Sequence, residues 1–170
     1  MKKTVAALVL TWFLIALTFI DIDTQLLPDS MTLPLVWLGV ATSAFLATNP
    51  DLSLPVALHD SVVGAMAGYL SLWGIYHLFR LLTGKEGMGY GDFNLLAAIG
   101  AFLGWRMLLP TVLGAAAVGA LCGILILGLR RRGRDVPIAF GPFLSASGWI
   151  MLMWGKDLLA DYMGLFGLHG

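Results

Sequence analysis

The chain has 170 residues, 59% of them hydrophobic and only 12% charged, and its formal net charge is zero. Soluble domains carry about 25% charged residues, so this composition excludes an ordinary soluble domain, and the balanced charge gives no basis for a nucleic-acid partner. Cys122 is the single cysteine, which excludes an internal disulfide, and no Cys/His set has zinc-ligand spacing.

In chain order, Met1-Lys2-Lys3 precedes an apolar run from Val5 to Ile20. No small-x-small cleavage site follows; the run meets Asp21-Ile22-Asp23 instead, so residues 4–20 read as a retained first membrane span. Residues 21–31 form a short polar loop in which Pro28 forbids a helix interior. Ser30 or Thr32 is placed to cap the second span, residues 32–48, with Pro34 in its first turn. A turn-rich connector, Thr48 to Pro55, leads to a third span over residues 60–80, where Gly64-x-x-x-Gly68 suits close helix packing. A fourth span, residues 93–105, is short: 13 residues reach only about 20 Å, less than the ~30 Å hydrocarbon core. The fifth span covers 107–129 and is rich in Gly and Ala. It ends at Arg130-Arg131-Arg132-Gly133-Arg134, and Phe140-Gly141-Pro142 opens a sixth span over 140–155. The expected fold is all-α and polytopic, about six transmembrane helices in one domain over residues 1–170.

Between spans three and four lies Gly84-Lys85-Glu86-Gly87-Met88-Gly89-Tyr90-Gly91-Asp92. Side chains are absent at Gly87, Gly89 and Gly91, so another backbone can approach closely there. A carboxylate at the mouth of a membrane segment is costly, which makes Asp92 a functional candidate. Six spans put Arg80, Lys85 and the cluster Arg130 to Arg134 on one side and Lys2, Lys3, Arg106 and Lys156 on the other. The excess of positive charge assigns the first side to the cytoplasm. Asp21 and Asp92 then share that face.

Two such acids in a partly dry site cannot both ionise cheaply, so they share a proton. The ionised one can draw a proton from water while the protonated one polarises a peptide carbonyl. This is aspartic protease chemistry, and it needs neither metal nor cofactor. Asp23, Asp29 and Glu86 read as solvated interface acids, although the residues alone do not select Asp21 over Asp23. His59, His77 and His169 match no ligand spacing. A proton-coupled transporter using the same aspartates as relay groups is the alternative. Against it, no internal repeat is present and the acids sit at span ends.

Two blocks carry a resemblance that covers nearly the whole chain. Asp21-Ile-Asp-Thr-Gln-Leu-Leu-Pro-Asp29 with Leu33-Pro34-Leu35 resembles the first block of type IV prepilin peptidases. Thr83-Gly-Lys-Glu-Gly-Met-Gly-Tyr-Gly-Asp92-Phe-Asn-Leu-Leu-Ala97 resembles their Gly-x-Gly-Asp block, and Phe140-Gly141-Pro142-Phe143 is similar to a third feature. The resemblance implies a multi-pass inner-membrane aspartic peptidase that removes the basic leader from type IV prepilins or type II secretion pseudopilins, after a glycine and on the cytoplasmic side. It implies Asp21 and Asp92 as the catalytic pair, with Asp23 as runner-up for the first. The Gly87, Gly89 and Gly91 backbone is expected to receive the scissile segment, and Lys85 and Glu86 to contact the leader. Longer family members carry an N-terminal region with paired Cys-x-x-Cys motifs associated with N-methylation. Here one cysteine and no room before the first span lead to an expectation of peptidase without methyltransferase activity and without zinc. The chain is then a naturally short peptidase or the C-terminal part of a longer one.

Overall fold

A computed structural model describes residues 2–47, 56–84, 89–129 and 139–165. Its elements are α1 (Lys2–Thr24), α2 (Asp29–Ala47), α3 (Leu58–Thr83), α4 (Tyr90–Leu103), a 3-10 turn (Trp105–Met107), α5 (Leu108–Leu129) and α6 (Gly141–Leu165). No strand occurs among the described residues. Ala7–Thr24, Leu58–Thr83 and Trp105–Ile124 are each long and apolar enough to cross a membrane. Trp12, Phe19, Leu70, Ile75, Leu113 and Ile124 all lie exposed on helix surfaces. Water would not tolerate so much contiguous apolar surface on a monomer, and lipid does. The chain is an all-α polytopic membrane protein.

The central element is α4. Asp92, Phe93 and every residue from Leu95 to Phe102 are buried, because a helix that is apolar on all sides must be covered on all sides. It packs most closely on α3 and α2, with α6 and α5 completing the ring, while α1 joins through α6. The α3 contact is glycine-to-glycine. A Cβ at Gly64 would run into the Gly100 carbonyl, and one at Gly100 into the Gly64 carbonyl. One turn on, a Cβ at Gly68 would lie 2.7 Å from the Leu96 carbonyl oxygen. The Gly64-x-x-x-Gly68 face is therefore where two backbones touch. Ser61 Oγ donates to Ala101 O at 2.6 Å and Ser147 Oγ to Thr111 O at 2.7 Å, so buried hydroxyls tie α3 to α4 and α6 to α5.

Several helix ends differ from the sequence expectation. α1 runs past residue 20 to Thr24, so Asp21 sits on its last turns; it stops at Gln25, whose φ of 54° is left-handed and whose N–H bonds Asp21 O at 2.8 Å. α2 begins directly after Pro28, whose carbonyl accepts from Met31 and Thr32 N–H. Ser30 and Thr32 are thus inside the helix and are not its cap, and Pro34 falls in the second turn. α4 starts at Tyr90, which puts Gly91 and Asp92 in its first turn. α6 continues to Leu165, since nothing between Lys156 and Leu165 breaks a helix. The short fourth helix is as expected: its 14 residues span about 21 Å.

Candidate active site

Asp92 is the third residue of α4, and its carboxyl reaches back to accept from the N–H of Gly89, the residue that caps the helix. Gly89 O in turn accepts from Asp92 N–H at 3.3 Å. This reciprocal arrangement has the form of a capping box, with Asp in the place of Glu. It holds the carboxyl at the mouth of α4, only 6% exposed.

Asp21 arrives from the other end of a helix and is 4% exposed. It lies within electrostatic reach of Asp92. The first residue of α6, Gly141, presses on it: the Gly141 N–H faces the Asp21 carboxyl, and a Cβ at Gly141 would overlap Oδ2 and lie 3.0 Å from Cγ. Oδ2 is buried without a hydrogen-bond partner among the described residues. Native proteins rarely leave a buried carboxyl oxygen so. α1 presents the negative end of its dipole to Asp21, and α4 its positive end to Asp92, so the two acids have unequal surroundings.

The α1–α2 loop packs on the start of α4. Leu27, 8% exposed, lies over the first turn of α4. A Cβ at Gly91 would overlap Leu27 Cβ and sit 2.8 Å from Leu27 O. The backbone that approaches Gly91 is the chain's own, and that contact brings the end of α1 to the start of α4. A Cβ at Gly89 would meet nothing within 4 Å among the described residues. Asn94 Nδ2 donates to Asp29 Oδ1 at 2.8 Å, a second tie between the same loop and α4.

The other candidates separate from this pair. Asp23 and Asp29 are exposed. Lys85, Glu86 and Gly87 lie outside the described residues, as do the Arg130–Arg134 cluster and His169. His59 is exposed beside Asp60, at 3.5 Å, and His77 bonds Trp73 O at 2.9 Å. Cys122 is half-buried and free. No cluster of three or more His, Cys, Asp or Glu suited to a metal occurs among the described residues. The sequence reading missed the contacts of Leu27 and Gly141. The signal for the second was present in Phe140-Gly141-Pro142, where a helix opens on a residue without a side chain.

The profile of the type IV leader peptidase family matches residues 8–124, a stretch containing both aspartates. The chain belongs to that family. Among curated relatives, the prepilin leader peptidase/N-methyltransferase of Aeromonas hydrophila is 53% identical over 163 residues, covering 96% of this chain and 54% of the relative. The protein of the same name from Pseudomonas aeruginosa is 48% identical over 162 residues, covering 95% and 53%. That of Dichelobacter nodosus is 50% identical over 152 residues, covering 89% and 49%. The chain therefore spans about half the length of the curated relatives it matches. No solved structure matches it. Within the stretch that matches the family, the two buried acids lie at the ends of α1 and α4, within electrostatic reach of each other.

Proposed function

We propose that the chain is an aspartic endopeptidase of the inner membrane that removes the cytoplasmic leader from type IV prepilins or type II secretion pseudopilins. The observation that carries this reading is the Asp21–Asp92 pair, both acids buried and within electrostatic reach of each other. The names of the relatives, each a prepilin leader peptidase, supply the substrate class.

In this mechanism one aspartate is ionised and the other protonated. The carboxylate takes a proton from water as the water oxygen bonds to the scissile carbonyl carbon. The carboxylic acid gives its proton to the carbonyl oxygen, which yields a neutral tetrahedral diol. The C–N bond then breaks. The acid that gained the water proton passes it to the leaving nitrogen, the diol returns one proton to the other carboxylate, and the pair is reset. No side chain is acylated and no metal takes part. The backbone of Gly89, with Gly87 before it, receives the extended substrate segment, and Lys85 and Glu86 contact the leader. Gly91 serves instead to pack the α1–α2 loop on α4. The second activity in the relatives' names is no part of the proposal.

A proton relay would need polar groups continuing from Asp92 across the bilayer. Beyond Asn94, α4 buries only Leu, Ala, Ile, Gly and Phe as far as Phe102, so the relay alternative gains no support. The test is co-expression with a prepilin, leader removal being followed by gel shift. Asp21→Asn and Asp92→Asn abolish cleavage, and Asp23→Asn, at an exposed position, does not. Cleavage persisting in Asp92→Asn ends the protease reading; loss in Asp23→Asn alone transfers the role from Asp21 to Asp23.

A further inference from the structure

A groove of about 290 Å³ opens between α1 and α6, walled by residues from Thr11 to Phe19 on one helix and from Pro142 to Trp149 on the other. Its upper end is the candidate site: Phe19 is two residues before Asp21, and Pro142 directly follows Gly141, which touches the Asp21 carboxyl. Eight residues along α1 give it a length of about 12 Å. Phe19, Ile15 and Trp149 stand exposed along it, so it is open sideways to the bilayer.

Three hydroxyl-bearing residues line it, Thr11, Thr18 and Ser145, and two of the hydroxyls are committed. Thr11 Oγ1 donates to Ala7 O and Thr18 Oγ1 to Leu14 O, each at 2.7 Å. The third, Ser145 Oγ, is on a residue only 3% exposed and has no hydrogen-bond partner among the described residues. The buried Ser61 and Ser147 both have acceptors. A buried hydroxyl without a partner carries a desolvation cost. A lipid chain in the groove would leave that cost unchanged. A peptide would relieve it, because every peptide unit brings a carbonyl.

We infer that this groove seats the apolar segment of the substrate that follows the scissile bond, with Ser145 Oγ donating to one of its backbone carbonyls. The inference rests on the peptidase reading and adds to it the path by which a membrane-inserted substrate reaches Asp21 and Asp92. Ser145 is a positioning residue; it holds the chain downstream of the bond that breaks.

Two synthetic prepilin peptides test it with the full chain in lipid vesicles. One carries leader and apolar segment; the other stops shortly after the scissile bond. Ser145→Ala raises KM for the long peptide about three- to tenfold, the loss of one neutral hydrogen bond, with kcat held and the short peptide unaffected. Ser145→Thr restores the long-peptide KM. Thr18→Trp, which fills the groove, acts in the same direction and more strongly. In a Cys122→Ser, Asp92→Asn background and with diamide added as oxidant, Ala146→Cys forms a disulfide with a cysteine in the apolar segment of the uncut long peptide, and Ile75→Cys on α3 does not. Equal losses on both peptides would make Ser145 a residue of the fold alone and overturn the inference. Unchanged kinetics together with no cross-link at Ala146→Cys would assign the groove to lipid and overturn it as well. The cross-link reads binding without cleavage: a chain that captures the long peptide and never cuts it refutes the peptidase reading and supports the groove.

Discussion

Gly91→Ala is the sharpest probe of how the acids are brought together. The added methyl would overlap Leu27 Cβ and sit 2.8 Å from Leu27 O and 3.2 Å from Leu27 Cα. Ordinary C···O contacts are about 3.3–3.6 Å, so relief requires the loop and the first turn of α4 to part by roughly 0.5–1 Å. The obstacle is backbone, which cannot rotate out of the way. Overpacking of this kind costs about 1–3 kcal/mol. Asp92 is the next residue and moves with the turn, and a displacement of about 1 Å at a reacting group costs about 10²-fold in rate. Gly91→Ala should therefore unfold at lower temperature and cut a prepilin peptide 10- to 100-fold more slowly, by about the factor that such a displacement allows. Gly89→Ala is the control. Nothing among the described residues lies within 4 Å of its added methyl, and its φ of −79° and ψ of 149° suit alanine, so stability should hold within about 0.5 kcal/mol. If the substrate lies along that side, KM rises in Gly89→Ala without loss of stability. Thermal unfolding in detergent and steady-state cleavage read both effects. A Gly91→Ala protein with unchanged melting and unchanged rate would show that the Leu27 contact does not set the distance between the acids.

Three further outcomes follow from the packing. Gly141→Ala pushes a methyl against the Asp21 carboxyl; kcat should fall by about 10- to 100-fold while melting changes little, measured by single-turnover cleavage beside a thermal scan. Gly64→Leu meets the Gly100 carbonyl and the Trp105 nitrogen, the latter at 2.9 Å, and no movable side chain stands in the way. A loss of about 3 kcal/mol or more is expected, seen as little monodisperse protein on size exclusion. Asn94→Ala removes an exposed bond to Asp29 and should cost under about 1 kcal/mol, with cleavage altered by no more than a small factor.

Much of this was legible in the residues. Apolar run lengths placed the helices, and the conjunction of an acid with a glycine-rich turn singled out Asp92. The count of spans put Asp21 on the same face. Three things were not legible, for one shared reason: each depends on what lies opposite a residue and not on the residue itself. Gly91 and Gly89 look alike in sequence, yet one packs under Leu27 and the other meets nothing within 4 Å among the described residues. Phe140-Gly141-Pro142 marked a helix opening on a residue without a side chain, yet nothing local named Asp21, 120 positions earlier, as what lies against it. Ser145 and Ser147 are both buried, yet Ser147 has an acceptor and Ser145 has none among the described residues. Helix ends slipped by a few residues because caps are decided by tertiary contacts, as at Pro28, whose carbonyl starts α2.

The brevity of α4 has a consequence for what can be cut. α3 passes Tyr90 at Tyr76 and runs on to Thr83, roughly 10 Å further, so it walls one side of the mouth of the 14-residue α4. A peptide still coiled as a helix keeps its amide bonds shielded by the i to i−4 ladder. On the peptidase reading proposed above, a stretch that has already unravelled is the one that can lie against that wall and meet the two acids. Choice among membrane-inserted chains would then fall to how readily each one melts at its margin, and residues that loosen a helix just there would mark the bond for cutting.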